Sequence, residues 1–421
     1  MSDLYEEKRV FIFLDTMPQR QGSGACMRFY SNIRAYLDLG FKVEVIQIAT
    51  AHDDSKPSED LSPVVWSRAI EPQAAPSMLG RLMYRLGVPA QSAVEYAFEK
   101  HNLIRREVEI RHRQFPEAIY HFEGESIANV IPWLPKKIRS VWSLHDMPST
   151  VSLATNKIAC EVENRTPTVP ERRELRFMQR VESLIARHTP LVVCIADYDS
   201  ERLRTEWGSR AEYLPMSITC VGASGRRNNW LAGGRLRTIH LGRISHLPSY
   251  RSLEFLFERV FPLLPVPVLE RISVDVIGKK DESDRAKRIF ALAEPYPNIT
   301  FRGFVEDVFP YYENSDLQIV AATDAAGLRT RIIESFAFGL PVLSTTVGAR
   351  GIAGIKEGEH LLIADTAGQF ARHLIALIDS PETLDRLSTK GLEFYEKNQS
   401  RAVVAAALSR YMQQYFNIST D

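Results

Sequence analysis

The sequence predicts an α/β protein made of two Rossmann-like domains, and three observations carry that prediction. Short apolar runs alternate with longer amphipathic stretches through both halves. Glycine stands directly after several of those runs. At 421 residues the chain is longer than one hydrophobic core usually serves.

The elements follow in order. Val10 to Leu14 is a strand, a loop containing GSG leads into a helix ending near Leu39, and KVEVIQI is the next strand, so the first fifty residues form one βαβ unit. AIYHF, SVWSLH and PLVVCIA are further strands, and residues 76–114 and 170–187, rich in Arg and Glu, are helical. SITCVGASGRRNNWLAGGR, from Ser217 to Arg235, lacks periodicity and reads as a linker, so the domain boundary falls there. RTIHLG, ISVDVIG, NITFRG, LQIVAA, PVLSTT and HLLIAD are the strands of the second series, with helices at Leu253–Leu264 and Asp284–Ala293 and one opening near Gly327. From Gly368 the chain reads as helical. The expected layout is a first domain over residues 1–225, a second over 236–400, and a C-terminal helix over 401–421 that packs back on the first.

Composition narrows the function. Lys plus Arg and Asp plus Glu each number 52, which argues against a nucleic-acid-binding protein. The four cysteines have no Cys-x-x-Cys spacing, so no structural metal site is expected and a reduced, cytoplasmic protein is the simpler reading. No apolar stretch reaches 18 residues, and any membrane contact is expected to be peripheral. Residues 78–113 set Arg81, Arg85, Lys100, Arg105, Arg106, Arg111 and Arg113 among apolar side chains, which fits either an anionic membrane surface or a solvated helix pair.

The candidate site gathers at strand ends. Gly24 belongs to a glycine loop that fits either a phosphate-binding turn or a plain tight turn, and no acidic residue closes the next strand as a nicotinamide site would require. Gly242, Gly278 and Gly303 end three strands of the second domain, where a ligand could lie against backbone. Arg243 and Lys279 follow the first two and are candidates for anion contact, Arg243 first because a guanidinium holds a diphosphate with paired donors. In GLRTRIIE, Gly327 opens a helix whose free amides, with Arg329 and Arg331, suit an anion; the alternative is an Arg331–Glu334 pair one turn apart. Glu334, on an apolar flank, is placed to accept hydrogen bonds from a ribose. His145, after SVWSL, either touches a ligand or caps a helix, and His121 and Glu123 end a neighbouring strand as weaker candidates for acceptor contact or proton handling.

Gly242-Arg243, DVIG, TFRGFVEDV, YYENSDLQIVAA, GLRTRIIESFAFGLPVLSTTVGARGI and HLLIAD together resemble the C-terminal domain of retaining GT-B glycosyltransferases of family 4. The resemblance covers residues 237–380 well and the first domain loosely. It implies two Rossmann-like domains facing a central cleft, a nucleoside-diphosphate sugar held by the second, and metal-independent transfer with retention to a hydroxyl of a saccharide, a lipid-linked saccharide or a protein. No cofactor beyond the donor substrate is implied, and polysaccharide biosynthesis is the expected setting. By position, Glu334 matches the ribose contact, Arg243 the diphosphate contact, Val305 the segment whose backbone holds the base, Gly327 and Leu328 the pyrophosphate loop, Gly24 the first domain's glycine loop, and His145 the histidine that touches the donor sugar. His145, Arg243 and Arg331 are the expected catalytic residues. The chain departs from the family at Ala326, where a glutamate is usual, leaving Asp324 or backbone amides to meet the sugar. Two other readings remain open: a nucleotide-sugar-binding partner protein with little activity, and a sugar-nucleotide epimerase of the same architecture.

Overall fold

The computed structural model describes residues 8–49, 58–70, 91–162, 164–219, 229–323 and 327–420. It divides into two compact units, Met1–Ser217 with Arg401–Asp421, and Ile218–Ser400. Of the segment that the sequence marks as a linker, 220–228 lie outside the described residues, as do Arg81, Arg85, Asp324 and Ala326.

In the first unit the strands are β1 (Arg9–Leu14), β2 (Lys42–Ala49), β3 (Val65–Ile70), β4 (Ile119–Glu123), β5 (Arg139–Leu144), β6 (Leu191–Cys194) and β7 (Ala211–Tyr213). They form one parallel sheet in the order β3-β2-β1-β4-β5-β6-β7. The inner strands are apolar on both faces because helices cover both, and Val10 to Leu14 have no exposed surface at all. The sequence reading passes over β3 and β7 for physical reasons. Val65 and Ile70 of β3 are exposed at the sheet edge, and β7 is three residues long, so neither shows a buried run.

The helices of this unit are α1 (Gly24–Asp38), α2 (Gln91–Gln114), α3 (Glu125–Ala128), α4 (Pro148–Val162), α5 (Val169–His188) and α6 (Asp197–Trp207). Helix α5 starts where it does because Thr168 and Glu171 form a reciprocal capping box with Pro170 in the first turn. The C-terminal helix, Arg401–Phe416, buries Val404, Leu408, Tyr411 and Met412 in the same core as Phe29, Ile33 and Tyr36 of α1, and the Tyr411 hydroxyl donates to the Tyr213 carbonyl at 2.7 Å.

In the second unit β8 (Leu236–Leu241), β9 (Ile272–Ile277), β10 (Ile299–Gly303), β11 (Leu317–Val320), β12 (Val342–Ser344) and β13 (Leu362–Ile363) form a parallel sheet in the order β10-β9-β8-β11-β12-β13. Its principal helices are α7 (Leu247–Phe255), α8 (Asp284–Ala293), α9 (Phe309–Asn314), α10 (Thr330–Ala337), α11 (Ala367–Leu377) and α12 (Pro381–Asn398). Helix α7 begins six residues before the expected Leu253, because Pro248 suits a first turn; past Phe255 the chain widens over Leu256–Val260 and tightens over Phe261–Leu263, where Pro262 lacks an amide.

In each sheet the strand order reverses once, between β1 and β4 and between β8 and β11. Crevices beyond the carboxyl ends of strands at such reversals are where open α/β sheets hold ligands.

Candidate functional site

In the second unit, three glycines stand side by side beyond the carboxyl ends of the strands. The Gly242 amide donates to the Ile277 carbonyl and the Gly278 amide to the Gly303 carbonyl, both at 2.9 Å. A Cβ on Gly242 would meet the Ser249 hydroxyl at 2.1 Å, and one on Gly278 would meet the Gly242 carbonyl oxygen at 2.1 Å. The edge is packed at the closeness of bare backbone, which is why the sequence spends glycine there.

Positive charge collects against this edge. Arg243 is more than half exposed, with Nε 3.2 Å from the Ser245 hydroxyl and 3.5 Å from Asp281. The Asp281 carboxyl is held well below the usual range by hydrogen bonds from Ser245 and Ser283. Arg285, at the start of α8, reaches the Ser245 carbonyl at 3.4 Å. His246 caps the N-terminus of α7 through its backbone, and burial, followed by the charges of Arg329, Arg331, Arg243 and Arg285, pushes its imidazole below the ordinary value. Four guanidiniums and a helix N-terminus thus bear on one locality, and like charges so placed are relieved by an anion.

The sequence assigns Arg331 to that anion, and the structure gives it a more internal place. Its Nη1 donates to the Leu241 carbonyl, and its Nη2 would lie 3.3 Å from a Cβ on Gly242. Burial lowers its pKa to about 10, the Arg329 charge adding to the effect. Arg331 therefore props the glycine turn from beneath and contributes its charge through the backbone edge. Lys279 is exposed beside Gly278.

The helix expected to open at Gly327 begins at Thr330. Gly327 has φ +73°, outside the helical range, and Arg329 is the capping residue, so Gly327, Leu328 and Arg329 form a loop before α10. Glu334 consequently lies four residues into the helix, about 6 Å along it. The residue is 8% exposed, and its Oε2 accepts a 3.1 Å hydrogen bond from the Tyr312 hydroxyl. Burial raises its pKa, against the opposing influence of Tyr312 and the Arg331 charge. The Arg331–Glu334 alternative thus survives only as an electrostatic influence, since the Arg331 guanidinium is spent partly on Leu241. Val305 packs half-buried in a small cluster with Ile277 and Tyr312, whereas its neighbour Phe304 is 76% exposed.

The first unit has its own pocket of about 530 Å³ beyond β1, β4 and β5, lined among others by Asp15, Glu123, Glu125, His145, Asp146 and Asn156. His145 does not cap a helix through its ring: Nε2 lies 3.2 Å from Glu123 Oε2, and the ring meets Phe29 edge to face at 4.9 Å. His121 is wholly buried and touches Glu123 from behind, so it reaches no ligand directly. Glu125 is pushed up to about 7 by burial and then by the Glu182 carboxylate, so it titrates near neutrality. Gly24 opens α1, but the Ser23 hydroxyl already accepts from the Cys26 amide at 3.2 Å, which takes one donor from any phosphate there.

Sequence reading misses Arg285, His246, Tyr312 and Phe304. Arg285 and Tyr312 come from helices distant in the chain, and no local pattern marks them. Among the described residues no three His, Cys, Asp or Glu side chains cluster at metal-binding range, and no helix is long and apolar enough to cross a membrane.

Residues 235–380 match the family model described as glycosyl transferases group 1. An uncharacterized glycosyltransferase of Haemophilus influenzae is 25% identical over 149 residues, 35% of this chain and 41% of that protein. One from Methanosarcina mazei is 53% identical over 47 residues, 11% of each chain. The chain therefore spans less than half the length of these curated relatives. Among solved structures, sucrose-phosphate synthase from Thermosynechococcus elongatus superposes with a TM-score of 0.71 at 16% identity, covering 98% of this chain and all of that one. Anabaena HepE, solved with UDP, gives 0.65 at 12% identity over 97% of this chain and all of that one. At such identities the likeness speaks for fold alone. The chain has the two Rossmann-like halves of the GT-B fold, and its second half carries the segment that matches glycosyl transferases group 1.

Proposed function

We propose that the chain is a retaining glycosyltransferase of family 4, which moves a sugar from a nucleoside-diphosphate donor to a hydroxyl of a saccharide, lipid-linked or protein acceptor. The observation that carries this is the pairing, within one unit, of an arginine-rich nest at a bare glycine edge with a buried carboxylate, Glu334. The nest fits a diphosphate and the carboxylate fits a ribose diol. In this reading Arg243, Arg285 and the N-terminus of α7 take the diphosphate, with Lys279, Arg329 and the Gly327–Leu328 backbone nearby, and Phe304 offers the base an aromatic face beside the Val305 backbone. Breaking the bond between the anomeric carbon and the diphosphate leaves negative charge on the leaving oxygen. Preformed positive charge there lowers the barrier without reorganisation. Arg331, behind Gly242, adds to that field.

The structural neighbour HepE has been solved with UDP-glucose and a variant of S. aureus TarM with UDP, which makes uridine donors the first to try. A thermal-shift screen over nucleoside diphosphates and their sugars should find one that raises Tm, since a ligand at a hundredfold its Kd stabilises the folded state by about 2.7 kcal/mol. With that donor and a panel of saccharide acceptors, transfer is expected to continue in EDTA; loss of turnover on chelation would reject the metal-free part. Donor binding without transfer to any acceptor would instead indicate a binding subunit, and conversion of the donor alone an epimerase.

A further inference from the structure

The first unit buries a line of polar side chains that ends at the pocket. The Tyr36 hydroxyl lies 3.0 Å from His121 Nδ1, His121 Nε2 lies 3.1 Å from Glu123 Oε1, and His145 Nε2 lies 3.2 Å from Glu123 Oε2. Tyr36, His121 and Glu123 are essentially without exposed surface, while the His145 side chain is 17% exposed and lines the pocket. The carboxylate is fixed from a third side by Asn32, whose amide nitrogen donates to Glu123 Oε1 at 2.8 Å and to the Ser143 hydroxyl at 3.0 Å. Arg28, wholly buried with Nη1 donating to the carbonyls of Leu214 and Pro215 at 2.8 Å, is stabilised by the Glu123 charge against its burial. A carboxylate taken this far from water is costly unless it is paired and hydrogen-bonded, as Glu123 is by Asn32 and His145.

We propose that Glu123 is a positioning residue for His145, holding the imidazole with its proton on Nε2 and leaving Nδ1 as the nitrogen that accepts from a ligand hydroxyl in the pocket. A carboxylate only accepts, so the ring nitrogen facing it must carry hydrogen, and the neutral imidazole then has its lone pair on the other nitrogen. His121 holds the opposite side of the carboxylate. Its Nδ1 accepts from Tyr36, which burial keeps protonated, so its Nε2 carries the hydrogen, 3.1 Å from Glu123 Oε1 without the alignment of a hydrogen bond. With Asn32 donating to one carboxylate oxygen and the His145 ring meeting the other, the carboxylate is held at both ends. The tautomer follows from this geometry alone, and only its catalytic consequence rests on the transferase reading.

Selective 15N labelling of histidine in the full-length protein tests the assignment, the His145 signal being identified by its loss in His145→Gln. In the parent protein the neutral ring is expected to be Nε2-protonated, and Glu123→Gln, whose amide can also donate, should give a mixture of tautomers. In transfer assays Glu123→Gln should lower kcat by roughly 10- to 100-fold, part of the ~10²–10⁴-fold that a positioned general base contributes, with donor KM unchanged. The Glu123→Gln, His145→Gln double variant should be no slower than His145→Gln, since the effects run through one ring. An Nδ1-protonated parent ring, or a Glu123→Gln spectrum identical to the parent's, overturns the proposal. If Glu123→Gln does not fold, the parent spectrum alone decides. If no acceptor is glycosylated by the parent, the transferase reading fails while the tautomer test stands.

Discussion

Glu334→Gln is expected to lose donor binding by roughly 100-fold or more in calorimetry while folding at least as well as the parent. A carboxylate receiving both hydroxyls of a ribose makes two charge-assisted hydrogen bonds, each worth about 1.5–3 kcal/mol, and the neutral amide keeps the shape but not the charge. Stability should move the other way, because Glu334 is buried and the principal partner of its carboxylate is the Tyr312 hydroxyl at 3.1 Å. Burial raises its pKa, so the folded state binds a proton that the unfolded state has released. The stabilisation from that proton is fully present below the unfolded value of about 4.3 and lost as pH rises through the folded value. The parent should therefore match Glu334→Gln in acid and fall behind it toward neutral pH, as read by urea unfolding at each pH. A variant that binds donor normally removes Glu334 from the site, and one that unfolds near neutral pH makes the carboxylate structural.

Gly278→Ala is expected to be the most destabilising single change at the glycine edge, by about 3–5 kcal/mol. At φ +158°, an added Cβ would stand 2.1 Å from the Gly242 carbonyl oxygen, 2.5 Å from its carbon and 3.0 Å from the Arg243 amide nitrogen. All three are backbone atoms, so no side chain can swing aside. Relief means parting the ends of β8 and β9, which strains the backbone by about 1–3 kcal/mol and weakens the bonds from Gly242 to Ile277 and from Gly278 to Gly303, each worth about 1 kcal/mol. Tm should fall by roughly 10 °C for a unit of this size. Gly358→Ala is the control. It also has positive φ, +73°, but nothing lies within 4 Å of its Cβ, so only the backbone preference of about 1 kcal/mol is lost. Equal losses in the two variants would show that the close packing of the edge carries no energy.

What the sequence by itself determined is the architecture and the strand ends where the backbone packs bare. Apolar runs such as VFIFL and LVVC can only be strands buried on both faces, and glycines after IHL, DVI and TFR mark where backbone must come close to backbone or to a ligand. Arg243 and Glu334 stand out in the sequence as candidates because each sits at a fixed offset from such a glycine or on the apolar face of the helix that follows one. What only the tertiary structure decided is which groups surround them. Tyr312 meets Glu334 from 22 residues away, Asn32 meets Glu123 from 91, and Tyr36 meets His121 from 85. Arg285 joins Arg243 through the turn at Ser245. Local structure also shifted with context. Gly327, free to take a positive φ, did so and delayed the helix to Thr330, while the glycine loop at Gly24, which fits either a phosphate-binding or a tight turn, spent one amide on its own Ser23. Periodicity and turn chemistry act over a few residues, and they set the strands and their ends. The charge state and direction of a buried side chain depend on neighbours the chain supplies from far away, so Glu123 stands in the sequence only as a weaker candidate at a strand end, and the fold shows it lying between two imidazoles and an amide.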